Sequence, residues 1–104
     1  MQHLDQLPVR EIRPGFFGKM LHGDKGTVTW WEIKKGSVLE THQHIHEQIT
    51  YVIHGELAMI IGGEPCLLTP GTTQVIPSLT PHSAVANSDC TVIDFFSPAR
   101  DDYR

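Results

Sequence analysis

A chain of 104 residues, 39% hydrophobic and 19% charged, has room for one compact domain spanning 1–104 and too little for a second. Eight Lys and Arg against twelve Asp and Glu give a net charge of -4 with no basic block, which argues against nucleic acid and anionic membranes as partners and favours a small molecule. No run approaches the roughly 18 apolar residues of a membrane span, and the amino terminus lacks the basic-then-apolar pattern of a secretory signal, so the expected location is the cytoplasm.

Residues 1–18, with Pro8, Pro14, Gly15 and Gly18, read as a strand-poor lead-in with one edge strand around 9–12. A further short strand is expected at 19–22, ended by Gly23-Asp24-Lys25-Gly26. The β-branched and aromatic run Thr27–Ile33 predicts a strand that stops at Lys34-Lys35-Gly36. Beyond it, 39–45, 48–53 and 57–61 form a meander with turns at His54-Gly55-Glu56 and Gly62-Gly63-Glu64. Short strands at 66–68, 74–76 and 82–86 are punctuated by Pro70-Gly71, Pro77 and Asn87-Ser88-Asp89, and 90–96 is the last. Eight or more short strands with almost no helix describe an all-β domain that closes into a barrel or jelly roll.

Cys66 and Cys90 sit in apolar segments and read as buried thiols rather than a disulfide. Histidine is the outlying count, seven in all, and His42, His44 and His46 alternate. On an extended strand these three project to one side, Gln48 joins them if the geometry persists, and His82 comes from a separate strand whose approach Pro77 and Pro81 fix. Neutral imidazoles from two distant segments suit one divalent ion, with Ni, Zn, Fe and Mn all acceptable. A solvated histidine face is the plain alternative.

On 90–96, Val92, Asp94 and Phe96 share a face, so Asp94 stands among apolar neighbours that would raise its pKa into a range useful for proton transfer. An edge charge or a turn acceptor is the plain reading of Asp94, as a solvated terminal arginine beside Asp101 and Asp102 is of Arg100. His54 is expected to be exposed at its hairpin end, one of Trp30 and Trp31 to fill the barrel, and Lys19 and His22 to lie away from the site.

The segment 36–55, with Gly36, His42, His44, Gln48 and Gly55 in place, resembles the first motif of the cupin superfamily, although Gln48 stands where most cupins have glutamate. The segment 71–87 resembles the second motif through Gly71, Pro77 and His82, with Leu79 in place of a glycine and Asn87 one position late. The resemblance implies a single-domain cupin-type jelly-roll β-barrel holding one divalent metal ion per subunit on His42, His44, Gln48 and His82. A neutral amide cancels none of the ion's charge, so the metal keeps more Lewis-acid strength than it would beside a carboxylate.

Within cupins, the run from His42 to Gln48 and the ending Asp94-Phe95-Phe96-Ser97-Pro98-Ala99-Arg100 look like the pectin-degradation protein family of small cupins. That likeness implies metal-dependent conversion of 4,5-unsaturated uronate monosaccharides to the linear keto form in pectin or uronate breakdown. Carried over by position, Asp94 moves the proton, Arg100 binds the sugar carboxylate and Phe96 walls the pocket. His46 is left to line the pocket or support the ligands. The likeness also implies a homodimer. Two other readings share the scaffold: a cupin dioxygenase using the same ligands with a redox metal, and a sugar- or metabolite-binding cupin whose metal anchors ligand without turnover.

Overall fold

Alternating apolar and polar side chains build ten antiparallel strands in a computed structural model that describes residues 1–104. In chain order these are β1 (Arg10–Arg13), β2 (Phe16–His22), β3 (Thr27–Ile33), β4 (Val38–His42), β5 (Glu47–His54), β6 (Leu57–Ile61), β7 (Glu64–Leu68), β8 (Thr73–Ile76), β9 (His82–Ala86) and β10 (Cys90–Ser97). Single 3-10 turns at Leu4–Gln6 and Asp101–Tyr103 are the only helical pieces. Six strands pair in the order β1-β2-β3-β10-β5-β8 and four in the order β4-β9-β6-β7. One hydrophobic cluster joins the two inner faces, drawing Phe16, Trp31, Val52 and Val92 from the larger sheet and Leu57, Met59, Leu68 and Ala84 from the smaller. This is the expected all-β jelly roll.

Period-two burial decides which residues can meet inside. On β5, Gln48, Thr50 and Val52 are buried while Ile49, Tyr51 and Ile53 face out. On β10, Cys90, Val92, Asp94 and Phe96 are buried, and Phe95 faces out. Register then sets Gln48 opposite Phe96, Thr50 opposite Asp94 and Val52 opposite Val92. His54 is exposed at the hairpin end, Trp31 is buried and Trp30 half-buried, as the alternation predicts. Both cysteines are free; Cys90 is buried, whereas Cys66 is only half-buried. No helix is long and apolar enough to cross a membrane.

Two expectations need correction. The lead-in is more ordered than its Pro and Gly content suggests, because β1 pairs with β2 and β2 starts at Phe16, whose side chain is buried against Trp31. The strand expected at 39–45 stops at His42, so His42, His44 and His46 do not share one strand face. The reason lies in where the backbone hydrogen bonds go. Leu79 N–H donates to the His44 carbonyl at 2.8 Å and the Ser78 hydroxyl donates to the Ile45 carbonyl at 2.6 Å, so residues 43–46 bend toward the β8–β9 turn instead of extending β4.

That turn needs a left-handed residue, and Leu79, with φ 62°, supplies it at the cost a Cβ imposes there. Gly55 is a second forced position. Its φ is +87°, and a Cβ would lie 2.2 Å from the Asp89 carbonyl oxygen.

Candidate metal centre and its cavity

His42 ends β4 and His82 begins β9, paired directly across the smaller sheet, with their rings 4.3 Å apart. The bend at 43–46 swings His44 onto the same spot, its ring 5.5 Å from that of His42 and 5.0 Å from that of His82. One ligand atom from each imidazole falls within 4.8 Å of the others.

Tautomers follow from the partners. Nδ1 of His42 lies 3.1 Å from the Glu40 carbonyl, Nδ1 of His44 lies 3.0 Å from that of His46, and Nδ1 of His82 lies 2.8 Å from that of Thr80. A carbonyl only accepts, so each Nδ1 carries the hydrogen and each Nε2 keeps its lone pair. The Nε2 of His44 is buried with no hydrogen-bond partner, an orphaned acceptor that a metal ion would satisfy. Burial lowers the pKa of all three rings; for His44, burial with the nearby Arg100 charge brings it to about 4. The three are therefore neutral near pH 7, the form that ligates. These residues fit a divalent ion bound by three Nε2 atoms.

Gln48 is buried on β5 and lines the same cavity. Its Nε2 lies 3.0 Å from the Thr50 hydroxyl oxygen, which in turn lies 2.6 Å from Asp94 Oδ1. With Asp94 ionised, the Thr50 proton is committed to the carboxylate, so Thr50 accepts from the Gln48 amide. That leaves the Gln48 carbonyl oxygen as the end able to meet a cation.

Asp94 is held from both sides, because Trp31 Nε1–H donates to its Oδ2 at 3.0 Å. Burial pushes its pKa up, and hydrogen bonds from Thr50, Gln48 and Trp31 pull partly back. Asp94 is thus neither an edge charge nor a turn acceptor; it is a buried carboxylate on the wall of the same open cavity that His42, His44, Gln48 and His82 line. Phe96 is 2% exposed and lines the same cavity.

Arg100 is not a solvated terminal arginine. It is 6% exposed, its guanidinium carbon lies 4.6 Å from the Phe96 ring centre and 4.0 Å from that of Tyr103, and it lines the cavity. Its backbone N–H donates to the Thr27 hydroxyl at 2.8 Å, which fixes the segment after β10. Asp102 takes Nε–H at 2.9 Å and an Nη2–H at 2.8 Å, so the fork expected for a ligand carboxylate already grips a protein carboxylate. Three of its five N–H donors, two on Nη1 and one on Nη2, lie outside the bidentate pair.

His46 does not join the cluster of three imidazoles and does not line the cavity. Its ring sits 5.3 Å from that of His44 and 6.3 Å from that of Phe96, and its carbonyl orients His44. Lys19 and His22 also lie outside the cavity lining; Lys19 donates to the Leu4 carbonyl and His22 pairs with Thr27.

Trp31 and Tyr103 are site residues that reading the sequence for function missed. The alternation assigns one of Trp30 and Trp31 to barrel filling and no more, and the indole N–H of Trp31 becomes meaningful only once the β3–β10 register places it beside Asp94. Tyr103 lies in a polar tail whose path the sequence does not fix. In the fold its ring packs edge-on against Trp31 and Phe96, and Arg10 Nη1 on β1 donates to its carbonyl.

Comparison with known proteins shows the family and the fold. The family model described as Cupin domain matches residues 29–96. The pectin degradation protein KdgF of Dickeya dadantii is 31% identical over 102 residues, covering 95% of this chain and 93% of that protein. Among solved structures, KdgF from a Halomonas species superposes with a TM-score of 0.89 at 36% identity, covering 96% of this chain and 94% of the other. An RmlC-like cupin from Shewanella frigidimarina gives a TM-score of 0.94 at 30% identity, with coverage of 100% and 95%.

Proposed function

The chain belongs to the cupin family, and from that premise we propose that it is an enzyme converting 4,5-unsaturated uronate monosaccharides to their linear keto form, with one divalent metal ion on His42, His44, Gln48 and His82. The relatives named for pectin degradation support the substrate class. The observation that carries the reading is the pairing of three neutral imidazoles with a buried carboxylate, Asp94, on the wall of one open cavity.

A divalent ion there supplies Lewis acidity, polarising the oxygens of a bound sugar acid. The chain's own groups do the rest. Phe96 and Tyr103 wall the cavity with aromatic surface, and Arg100, held against both rings and paired with Asp102, lines it with guanidinium N–H groups outside that pair that can meet a ligand oxygen. Asp94 takes the proton released by a substrate hydroxyl or enol oxygen and returns it to the adjacent carbon. The balance is a proton moved and a ring C–O bond opened, with no oxidant consumed. Trp31 and Thr50 hold the two carboxylate oxygens in place while leaving each a lone pair.

The protein works as a homodimer on this reading. Its support is the outer face of the larger sheet, where Leu21, Val28, Phe95, Ile49 and Val75 align in register across five strands, and all but Val28 are exposed.

The test is direct. Metal-loaded protein is given an unsaturated uronate, and ring opening is followed by NMR beside an Asp94→Asn sample. The parent is expected to open the ring far faster; equal rates would remove Asp94 from proton transfer, and no acceleration by either sample would remove the substrate class.

A further inference from the structure

We propose that Arg13, at the end of β1, is the residue that attracts and holds the anionic group of the ligand at the cavity mouth. This rests on the cavity being a sugar-acid site, as argued above.

The cavity is lined by two arginines, Arg13 and Arg100. They differ in what they have left to offer. Arg100 is paired bidentately with Asp102, so the couple presents no net charge. Arg13 has no ion-pair partner and no hydrogen bond from its guanidinium; the chain's three ion pairs are His3–Asp5, Arg100–Asp102 and Arg104–Asp101. Arg13 is therefore the one full positive charge on the cavity wall that no protein carboxylate cancels.

The fold places it there deliberately in a physical sense. The β1–β2 register shifts between Glu11 and Arg13, so Ile12 packs on the core while Arg13 also reaches the cavity rim. Arg13 lines the cavity together with His42 and Tyr103, so its charge faces the same space as the imidazole cluster and the aromatic wall. Arg10, three residues earlier, donates to the Tyr103 carbonyl and ties β1 to the turn that carries Arg100 and Asp102. One short strand thus sets the spacing between the free cation and the neutralised one.

A neutral wall is suited to orienting a carboxylate, and an uncompensated charge to capturing it. The two arginines should therefore separate in kinetics. In metal-loaded protein turning over an unsaturated uronate, Arg13→Gln is expected to raise KM about tenfold or more, the scale of one charge-assisted contact, with a much smaller change in kcat. Added salt should raise KM in the parent and barely move it in Arg13→Gln, and Arg13→Lys should recover part of the loss.

Galacturonate, a stable sugar acid, gives a reading independent of turnover. Calorimetric titration into metal-loaded protein should show weaker binding in Arg13→Gln by the same factor, with the unfolding midpoint unchanged because Arg13 is exposed. If no unsaturated uronate is turned over yet galacturonate binding depends on Arg13, the anion role stands and the reaction assignment falls. If turnover is normal and Arg13→Gln keeps the parent's KM and galacturonate affinity, the role proposed for Arg13 is overturned.

Discussion

The inner faces of β5, β9 and β10 change character along their length. At one end they carry Val52, Ala84, Ala86, Val92 and Cys90, and at the other Gln48, Thr50, His82 and Asp94. Both sets are buried, so strand alternation hides them equally. Their energetics are opposite: the apolar end gains roughly 25 cal/mol for each Å² removed from water, while each buried polar atom lacking a partner costs about 1–3 kcal/mol. The polar end limits that cost by bonding: Thr50 and Trp31 to Asp94, Gln48 to Thr50, and each ligand Nδ1 to a carbonyl. Three buried atoms stay unpaired, Thr29 Oγ1, His46 Nδ1 and His44 Nε2, and the last is part of the imidazole cluster, where a metal belongs. The difference teaches that stability resides in one end of the barrel and chemistry in the other.

Substitutions at the two ends should therefore fail in different assays. The largest effect is expected for Asp94→Asn, with turnover lower by about 10²–10⁴-fold, the range of a lost general acid–base group, while metal stoichiometry stays at the parental value. A large loss of metal alongside the loss of rate would blur the division between ligands and proton carrier. Next is Leu68→Ala, 4% exposed in the apolar cluster and outside the cavity lining, which should cost about 2–5 kcal/mol in denaturant unfolding with one metal still bound per chain. Metal loss there, at denaturant levels where the variant remains folded, would show that the ends are coupled.

Acidification sharpens the same contrast within the polar end. Folding lowers His42, His44 and His82 below 6.5, so they favour the neutral form, and their contribution to stability is present above that value and fades as pH falls toward about 4 for His44. Asp94 has the opposite sign. Its folded pKa is raised above 3.8, so it destabilises as pH rises through the folded value, and acidification relieves that. Metal-free protein unfolded by denaturant from about pH 7 to 4 should thus lose stability more steeply in Asp94→Asn than in the parent. Parallel curves would contradict the raised Asp94 pKa.

The smallest effect lies outside both ends. Leu79→Gly relieves a left-handed residue in the turn that braces the His44 loop, and should stabilise by about 1 kcal/mol, read as a higher unfolding midpoint. A lower midpoint would mean that the Leu79 side chain contributes more than its backbone costs.

The strands were legible wherever period two was clean, as in Thr27–Ile33, β9 and β10, because one residue of slip would expose the whole apolar set. The same rule placed Asp94 and Phe96 inside. It misplaced His44 and His46 by extending β4 too far, since the bend at 43–46 is dictated by hydrogen bonds from Ser78 and Leu79, more than thirty residues away. The cupin motif resemblance nevertheless brought His42, His44, Gln48 and His82 together, and the fold gathers them around one cavity. The Trp31 and Tyr103 roles depend on register and on the path of a polar tail, and the Arg100–Asp102 pair depends on the Asp101–Tyr103 turn; none of these has a local pattern.

The most direct measurement is a zinc titration of metal-free protein with histidine side chains labelled with ¹⁵N and observed by NMR. The account predicts saturation at one equivalent per chain, with Nε2 of His42, His44 and His82 shifting to metal-bound values, their Nδ1 atoms remaining protonated and His46 left uncoordinated. Coordination through any Nδ1 of the three, or saturation that leaves His82 unperturbed, would contradict it.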